Sequence, residues 1–241
     1  MSRILKAAVL QMPNRIPYRQ NLDRLLSYLD TLADHDIVLA PEVSMTDYDY
    51  ERLDDAVAFG DEVIEELCHH VDKQIVGLTL LQKGTDGSYH NDAIVIHDHK
   101  IVHRQSKHKL FVLGDEDKYL RAGTIEQFEL FEIDGVRYGM MICFELRFKE
   151  IWKRLEGADV ILIPSQWGAP RKRHLEILGS ALAVMNQTYV MIANSSKPDM
   201  ASSSAIYSPS GGVILDDMRE VITADLDMSL LTKMRRYIVM K

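Results

Sequence analysis

Two cysteines in 241 residues are too few for a disulfide scaffold, and a chain of this length buries enough apolar surface to fold without one. Cys68 and Cys143 are therefore expected as free thiols in a reducing cytoplasm. Positive charge is scarce as well. Lys and Arg number 28 against 36 Asp and Glu, giving a formal net charge of -8 and a pI near 5.6. A nucleic-acid partner is disfavoured, because a phosphate-binding face draws on clustered Lys and Arg. The longest basic clusters, around Lys107 and over Arg171, Lys172 and Arg173, are short. No apolar run approaches a membrane span, and the N-terminal residues lack the apolar core and cleavage site of a secretory signal. There is no HExxH pair and no Gly-rich phosphate loop. No repeat, linker or low-complexity stretch divides the chain, so residues 1–241 are read as one domain.

What is present is the composition of a globular protein, with 46% hydrophobic and 27% charged residues. Strand-like apolar runs alternate with helical periods. Residues 4–12, 21–33 and 37–40 read as strand, helix and strand, with Leu22, Leu25, Leu26, Leu29 and Leu32 on one helix face. A helix over 62–71 and a strand over 75–81 follow, then paired strands 93–97 and 101–105 around the turn Asp98-His99-Lys100. Residues 106–124 have charges and glycines without a period and read as a long loop, a length that often signals function. Strands are then expected over 128–133, 138–143, 160–164, 189–193, 205–207, 213–215 and 221–225, with helices over 148–155 and 174–185 and a last one from Met228. This mixture predicts an α/β fold, with sheets covered by helices and chemistry at the carboxyl ends of the strands.

Cys143 closes the apolar run Tyr138-Gly139-Met140-Met141-Ile142, where a strand should turn into a helix. Such a corner presents a sulfur beside unpaired N–H groups. Taken alone, a Cys is as well explained by packing, and Cys68 on a helix face is assigned to packing. Glu42 ends a second apolar run, Ile37 to Pro41, where it reads equally as a base or as a solvated acid. Lys107 and Glu116 lie in the long loop, and Lys109 rivals Lys107 for any role. His69, His70, His97, His99, His103, His108 and His174 are the histidines available to a cysteine nucleophile, and none carries a local protease signature.

These separate signals occur in one order: Ala40-Pro41-Glu42, Lys107-His108-Lys109-Leu110-Phe111, Gly114-Asp115-Glu116, then Cys143-Phe144-Glu145-Leu146-Arg147-Phe148. The pattern resembles the nitrilase superfamily of carbon–nitrogen hydrolases over nearly the whole chain. The segments Trp167-Gly168-Ala169-Pro170-Arg171, His174, Asn186 to Val190 and Ser208 to Gly212 are similar to later parts of that family. Its small omega-amidase and Nit-type members are the most alike. The sequence departs at Leu182 and Met185, where relatives often have Arg and Glu, at Glu145, where Asp is common, and at Lys149, where Pro is common.

The resemblance implies a four-layer α-β-β-α sandwich that dimerises, needs no metal or cofactor, and acts on a small-molecule amide or carbamoyl substrate. By position it makes Glu42 the general base, Lys107 the oxyanion-stabilising cation, Cys143 the nucleophile and Glu116 a second acid. It places the backbone N–H of Phe144 at the oxyanion and Trp167 at the substrate. Lys107 is then expected to lower the pKa of the thiol. Within catalysis the motif leaves N-carbamoyl hydrolysis and nitrile hydrolysis open beside amide hydrolysis; outside it, a binding protein that keeps the fold without forming a covalent adduct.

Overall fold

The computed structural model describes residues 3–14 and 17–239; the chain ends of the expected 1–241 domain lie outside the described residues. In chain order the elements are β1 (Ile4–Leu10), α1 (Arg19–Thr31), β2 (Ile37–Leu39), α2 (Leu53–His70), β3 (Ile75–Lys83), β4 (Tyr89–His97), β5 (Lys100–Ser106), α3 (Glu116–Tyr119), β6 (Phe131–Ile133) and β7 (Val136–Met140). They continue with α4 (Lys149–Arg154), β8 (Val160–Ser165), α5 (Lys172–Met185), β9 (Tyr189–Asn194), β10 (Ala205–Tyr207), β11 (Val213–Leu215), β12 (Val221–Asp227) and α6 (Met228–Tyr237). Two sheets of six strands result, ordered β12-β1-β2-β3-β4-β5 and β11-β10-β9-β8-β7-β6. In the first, β1, β2 and β3 run parallel and β4 and β5 return as antiparallel hairpins; in the second, β7, β8 and β9 are parallel.

The period-two alternation of each strand divides its side chains between two layers. From the first sheet Ala7, Val9, Ile37, Leu39, Ala93 and Val95 join the second sheet's Met140, Leu162 and Ile192 in one core. Their sequence neighbours Ala8, Leu10, Val38, Val76, Ile94 and Ile96 face the other way, against Leu22, Leu25 and Leu29 of α1 and Val63 and Leu67 of α2. Each of those α1 leucines is at most 1% exposed, and burying one contributes about 1.5–3 kcal/mol before ordering costs. Leu25→Ala would forfeit that and leave a cavity. On the outside of the second sheet lie Ile151 of α4, Leu155 just after it, and Leu175, Leu182 and Ala183 of α5. The layers are therefore helix, sheet, sheet, helix. Helix α5 lies close to its sheet because Gly179 has no side chain: a Cβ there would stand 2.7 Å from both Ile192 and Tyr207.

Most expected elements are present, and the differences have local causes. Helix α2 begins nine residues before the expected start because Ala56, Val57, Gly60, Val63 and Leu67 already form one buried face. Strand β7 stops at Met140 rather than Cys143: the Ile142 N–H donates to Glu145 Oε2 at 2.6 Å, and Cys143 takes a left-handed φ of 49°. Residues 128–130 stay outside β6, following a 3-10 turn over Ile125–Gln127 closed by a capping box from Thr124. Turn Asp98-His99 has two positive φ values, the geometry that joins β4 to β5 in a tight hairpin.

Candidate active site

Strands β2, β5, β7 and β8 all end at one rim between the sheets, and each is followed by a polar residue. Glu42 lies three residues beyond β2, Lys107 directly after β5, Cys143 three beyond β7, and Gln166 directly after β8. Among the hydrogen bonds that cross between the sheets at this rim are Glu42 N–H to Ser165 C=O at 3.3 Å, and the Gln105 amide to Met140 C=O at 3.2 Å.

The centre of the cluster is Lys107, fully buried. Its ammonium donates to Glu42 Oε1 and to Glu116 Oε1, both at 2.7 Å, and to the Tyr48 hydroxyl at 3.2 Å. Burial alone would lower its pKa, but the charges of Glu42, Glu116 and Cys143 outweigh it and the net shift is upward. The lysine therefore keeps its charge. Glu42 Oε1 also accepts from Tyr48 at 2.6 Å and from the Asn91 amide at 2.9 Å. Three donors thus converge on one oxygen of Glu42. Glu116 sits at the start of α3, where Oε2 takes the Phe111 N–H at 3.0 Å; burial raises its pKa while Lys107 opposes the rise. Tyr48 Oη is 2.9 Å from Glu116 Oε1 as well as 2.6 Å from Glu42, so its single proton serves one carboxylate at a time.

Cys143 begins a 3-10 turn over Cys143–Arg147. A left-handed non-glycine residue costs about 1–2 kcal/mol, and this conformation puts the sulfur at the sheet rim instead of in the strand. The Gln166 N–H reaches Sγ at 3.5 Å. Burial pushes the thiol pKa well up, the charge of Glu42 pushes it further, Lys107 and the Gln166 N–H lower it, and a hydrogen bond with Glu42 again favours the protonated sulfur. Lys107 lowers the thiol pKa, as expected, but burial and the Glu42 carboxylate outweigh it and the net shift is upward.

A cavity of about 410 Å³ opens beside this cluster, lined by Glu42, Tyr50, Phe111, Glu116, Cys143 and Arg171 among others. A narrow recess next to it is lined by Phe144, Arg147 and Trp167 together with Cys143 and Arg171. The Arg147 guanidinium lies 4.6 Å over the Trp167 ring and bonds His174 Nδ1 at 3.1 Å; that of Arg171 lies 5.1 Å over Phe111. Burial and then the charge of Arg171 lower the pKa of Arg147. Among the described residues neither arginine forms an ion pair with a carboxylate. Trp167 is 3% exposed, and its Nε1 has no hydrogen-bond partner among the described residues.

The structure thus gathers Glu42, Lys107, Glu116 and Cys143, with Phe144 and Trp167 in the adjoining wall. Lys109 lies apart, paired with Glu150 at 3.1 Å. Three of the candidate histidines are occupied elsewhere, the rings of His97, His99 and His103 bonding Gln74, Cys68 and Gln105, while His174 meets the site through its bond with Arg147. Tyr48, Asn91, Gln166 and Arg171 were missed as site residues. Asn91 had a weak signal, a polar residue two positions ahead of the apolar run Ala93 to Ile96; Tyr48 and Gln166 had none, since their importance rests on contacts far along the chain.

Comparison with known proteins gives the family and the fold. The family model described as carbon-nitrogen hydrolase matches residues 6–236. The 2-oxoglutaramate amidase of Bacillus subtilis (strain 168) is 30% identical over 234 residues, covering 91% of this chain and 89% of the relative. Omega-amidase YafV of Escherichia coli (strain K12) is 27% identical over 219 residues, covering 87% and 84%. In fold, the chain is similar to Nit3 of Saccharomyces cerevisiae, a nitrilase-superfamily member, with TM-score 0.83, 20% identity, and coverage of 99% and 96%. A carbon-nitrogen hydrolase superfamily protein of Xanthomonas campestris, solved with an arsenic adduct in its active site, gives TM-score 0.87 at 19% identity, covering 98% and 95%. The chain belongs to the carbon-nitrogen hydrolase family. It is an amidase, an enzyme of amide C–N hydrolysis.

Proposed function

We propose that the chain hydrolyses the terminal amide of a small substrate that carries a carboxylate, through an acyl-thioester on Cys143. The observation that carries the chemistry is the convergence of Glu42 and Glu116 on one buried ammonium beside a buried thiol. Because that thiol is protonated at rest, a base must take its proton as it attacks, and Glu42 is the carboxylate that interacts with it. Sγ adds to the carbonyl carbon while its proton passes to Glu42. The oxyanion formed is stabilised by the Lys107 ammonium and by backbone N–H, that of Phe144 in this reading. The C–N bond then breaks, Glu42 returns the proton to nitrogen, and ammonia leaves. Water gives a proton to Glu42 as its oxygen adds to the thioester; the C–S bond breaks, the sulfur recovers the proton, and a carboxylic acid is released. Glu116 holds Lys107 in place throughout.

The substrate class rests on Arg147 and Arg171. Two guanidiniums beside the nucleophile, without acidic partners among the described residues, with burial and the charge of Arg171 lowering the pKa of Arg147, favour an anion between them. The name of the Bacillus relative points to 2-oxoglutaramate, an amide of this kind. The test is ammonia release from 2-oxoglutaramate, succinamate, a neutral aliphatic amide, an N-carbamoyl amino acid and a nitrile. Turnover of the two amide acids, lost in Cys143→Ala and far weaker for the neutral amide, is expected. A preference for the neutral amide removes the arginine argument, and carbon dioxide released with ammonia selects carbamoyl hydrolysis instead. The homodimer implied by the family resemblance and the cytoplasmic location expected from the two free cysteines also stand as proposals; sedimentation velocity tests the first. Among the described residues no helix is long and apolar enough to cross a membrane.

A further inference from the structure

Lys107 and Cys143 belong to different sheets, since one follows β5 and the other β7. The distance between ammonium and thiol therefore depends on how the two sheets are held at this rim. Glu145, fully buried, spans that gap. Its Oε1 accepts the His108 N–H at 2.6 Å and the Lys109 N–H at 3.2 Å, the two amides directly after Lys107. Its Oε2 accepts the N–H of Ile142, directly before Cys143, at 2.6 Å. The three bonds come from backbone that cannot rotate away, and they fasten both chain segments to one rigid carboxylate.

From this geometry we propose that Glu145 is a positioning residue that sets the Lys107 ammonium against the Cys143 thiol. It touches neither substrate nor reacting atom and acts through the two backbones it joins. The same bond to Ile142 ends β7 and holds the turn in which Cys143 takes its left-handed φ. Burial pushes the Glu145 carboxyl up to about 7, against the Ile142 and His108 amides and the Lys107 charge; those are the groups that keep it an acceptor. This inference rests on the roles given above to Lys107 and Cys143.

Glu145→Gln keeps the side-chain length but replaces one acceptor oxygen with an NH₂ that must face an N–H donor, so one of the two fastenings opens. Misplacing reacting groups by about 1 Å can cost about a hundredfold, so kcat is expected to fall about 10- to 100-fold with KM changed less than about threefold. The pH midpoint for iodoacetamide alkylation of Cys143 should rise, because Lys107, which lowers the thiol pKa, moves away. Glu145→Asp provides the same measurement should the glutamine variant fail to fold: one methylene shorter, it keeps the charge but cannot reach both segments, and kcat and midpoint should move the same way by less. A part that is structural only would lower Tm while leaving kcat per folded molecule and the alkylation midpoint unchanged, and that result overturns the proposal. If the parent releases no ammonia from any amide but Glu145→Gln still raises the midpoint, positioning stands and the hydrolytic reading falls.

Discussion

Replacing Glu42 with glutamine separates two effects of one side chain on Cys143. In the resting site burial raises the thiol pKa, and Glu42 raises it further by its charge and by a hydrogen bond, against the pull of Lys107. Glutamine keeps the shape and an acceptor oxygen but removes the charge. Lys107 then retains Glu116 as its one carboxylate partner, so its own charge bears more strongly on the sulfur. Both changes lower the thiol pKa. A neighbouring charge at contact range shifts a pKa by about 1–3 units, so the alkylation midpoint should fall by about that much, equivalent to about 1–4 kcal/mol. Turnover should move the opposite way from thiol reactivity, because losing a general base costs about 10²- to 10⁴-fold. The assay is the rate of iodoacetamide alkylation from about pH 6 to about pH 10 in a Cys68→Ala background, with the modified peptide identified by mass. Cys68→Ala itself should keep most activity, since Cys68 is a half-buried helix residue outside the cluster. A midpoint that stays or rises in Glu42→Gln, or turnover within about tenfold of the parent, refutes the assignment.

Lys107→Met should cost about 10²- to 10³-fold in kcat, as loss of an oxyanion donor does, whereas Lys109→Met should cost little, because Lys109 pairs with Glu150 away from the thiol; equal losses in steady-state assays would sink the register. Glu116→Gln should leave slow acylation that Glu42→Gln lacks, visible by intact mass as an acyl adduct on Cys143 after incubation with an amide substrate. Arg147→Gln should raise KM for a carboxylate-bearing amide about 10- to 100-fold, the worth of a hydrogen bond to a charged group, and leave a neutral amide unaffected; the same loss for both substrates refutes the anion site. Glu145 has a folded pKa raised to about 7 from 4.5, so its contribution to stability is present below about pH 4.5 and lost as pH rises through 7. Urea unfolding should therefore show the parent losing about 3 kcal/mol relative to Glu145→Gln between about pH 4.5 and pH 8, and parallel pH dependences would contradict it.

The sequence by itself determined which segments become strands and helices, because apolar periodicity is a local property of neighbouring residues. It also placed Glu42 and Cys143 at the ends of buried strands, and the order of the motifs was enough to name the family. It misplaced the end of β7, since that end depends on the Glu145 carboxylate turning back on Ile142. Only the tertiary structure decided that Lys107, which the motif order had already set apart from Lys109, is buried between two carboxylates, that Tyr48 and Asn91 share Glu42 with it, and that Gln166 brings its N–H to the sulfur. It also set the net upward shift of the thiol, in which burial and Glu42 outweigh the expected pull of Lys107. A pKa is the sum of burial and of charges arriving from different sheets, and these distances exist only once the two sheets have packed face to face.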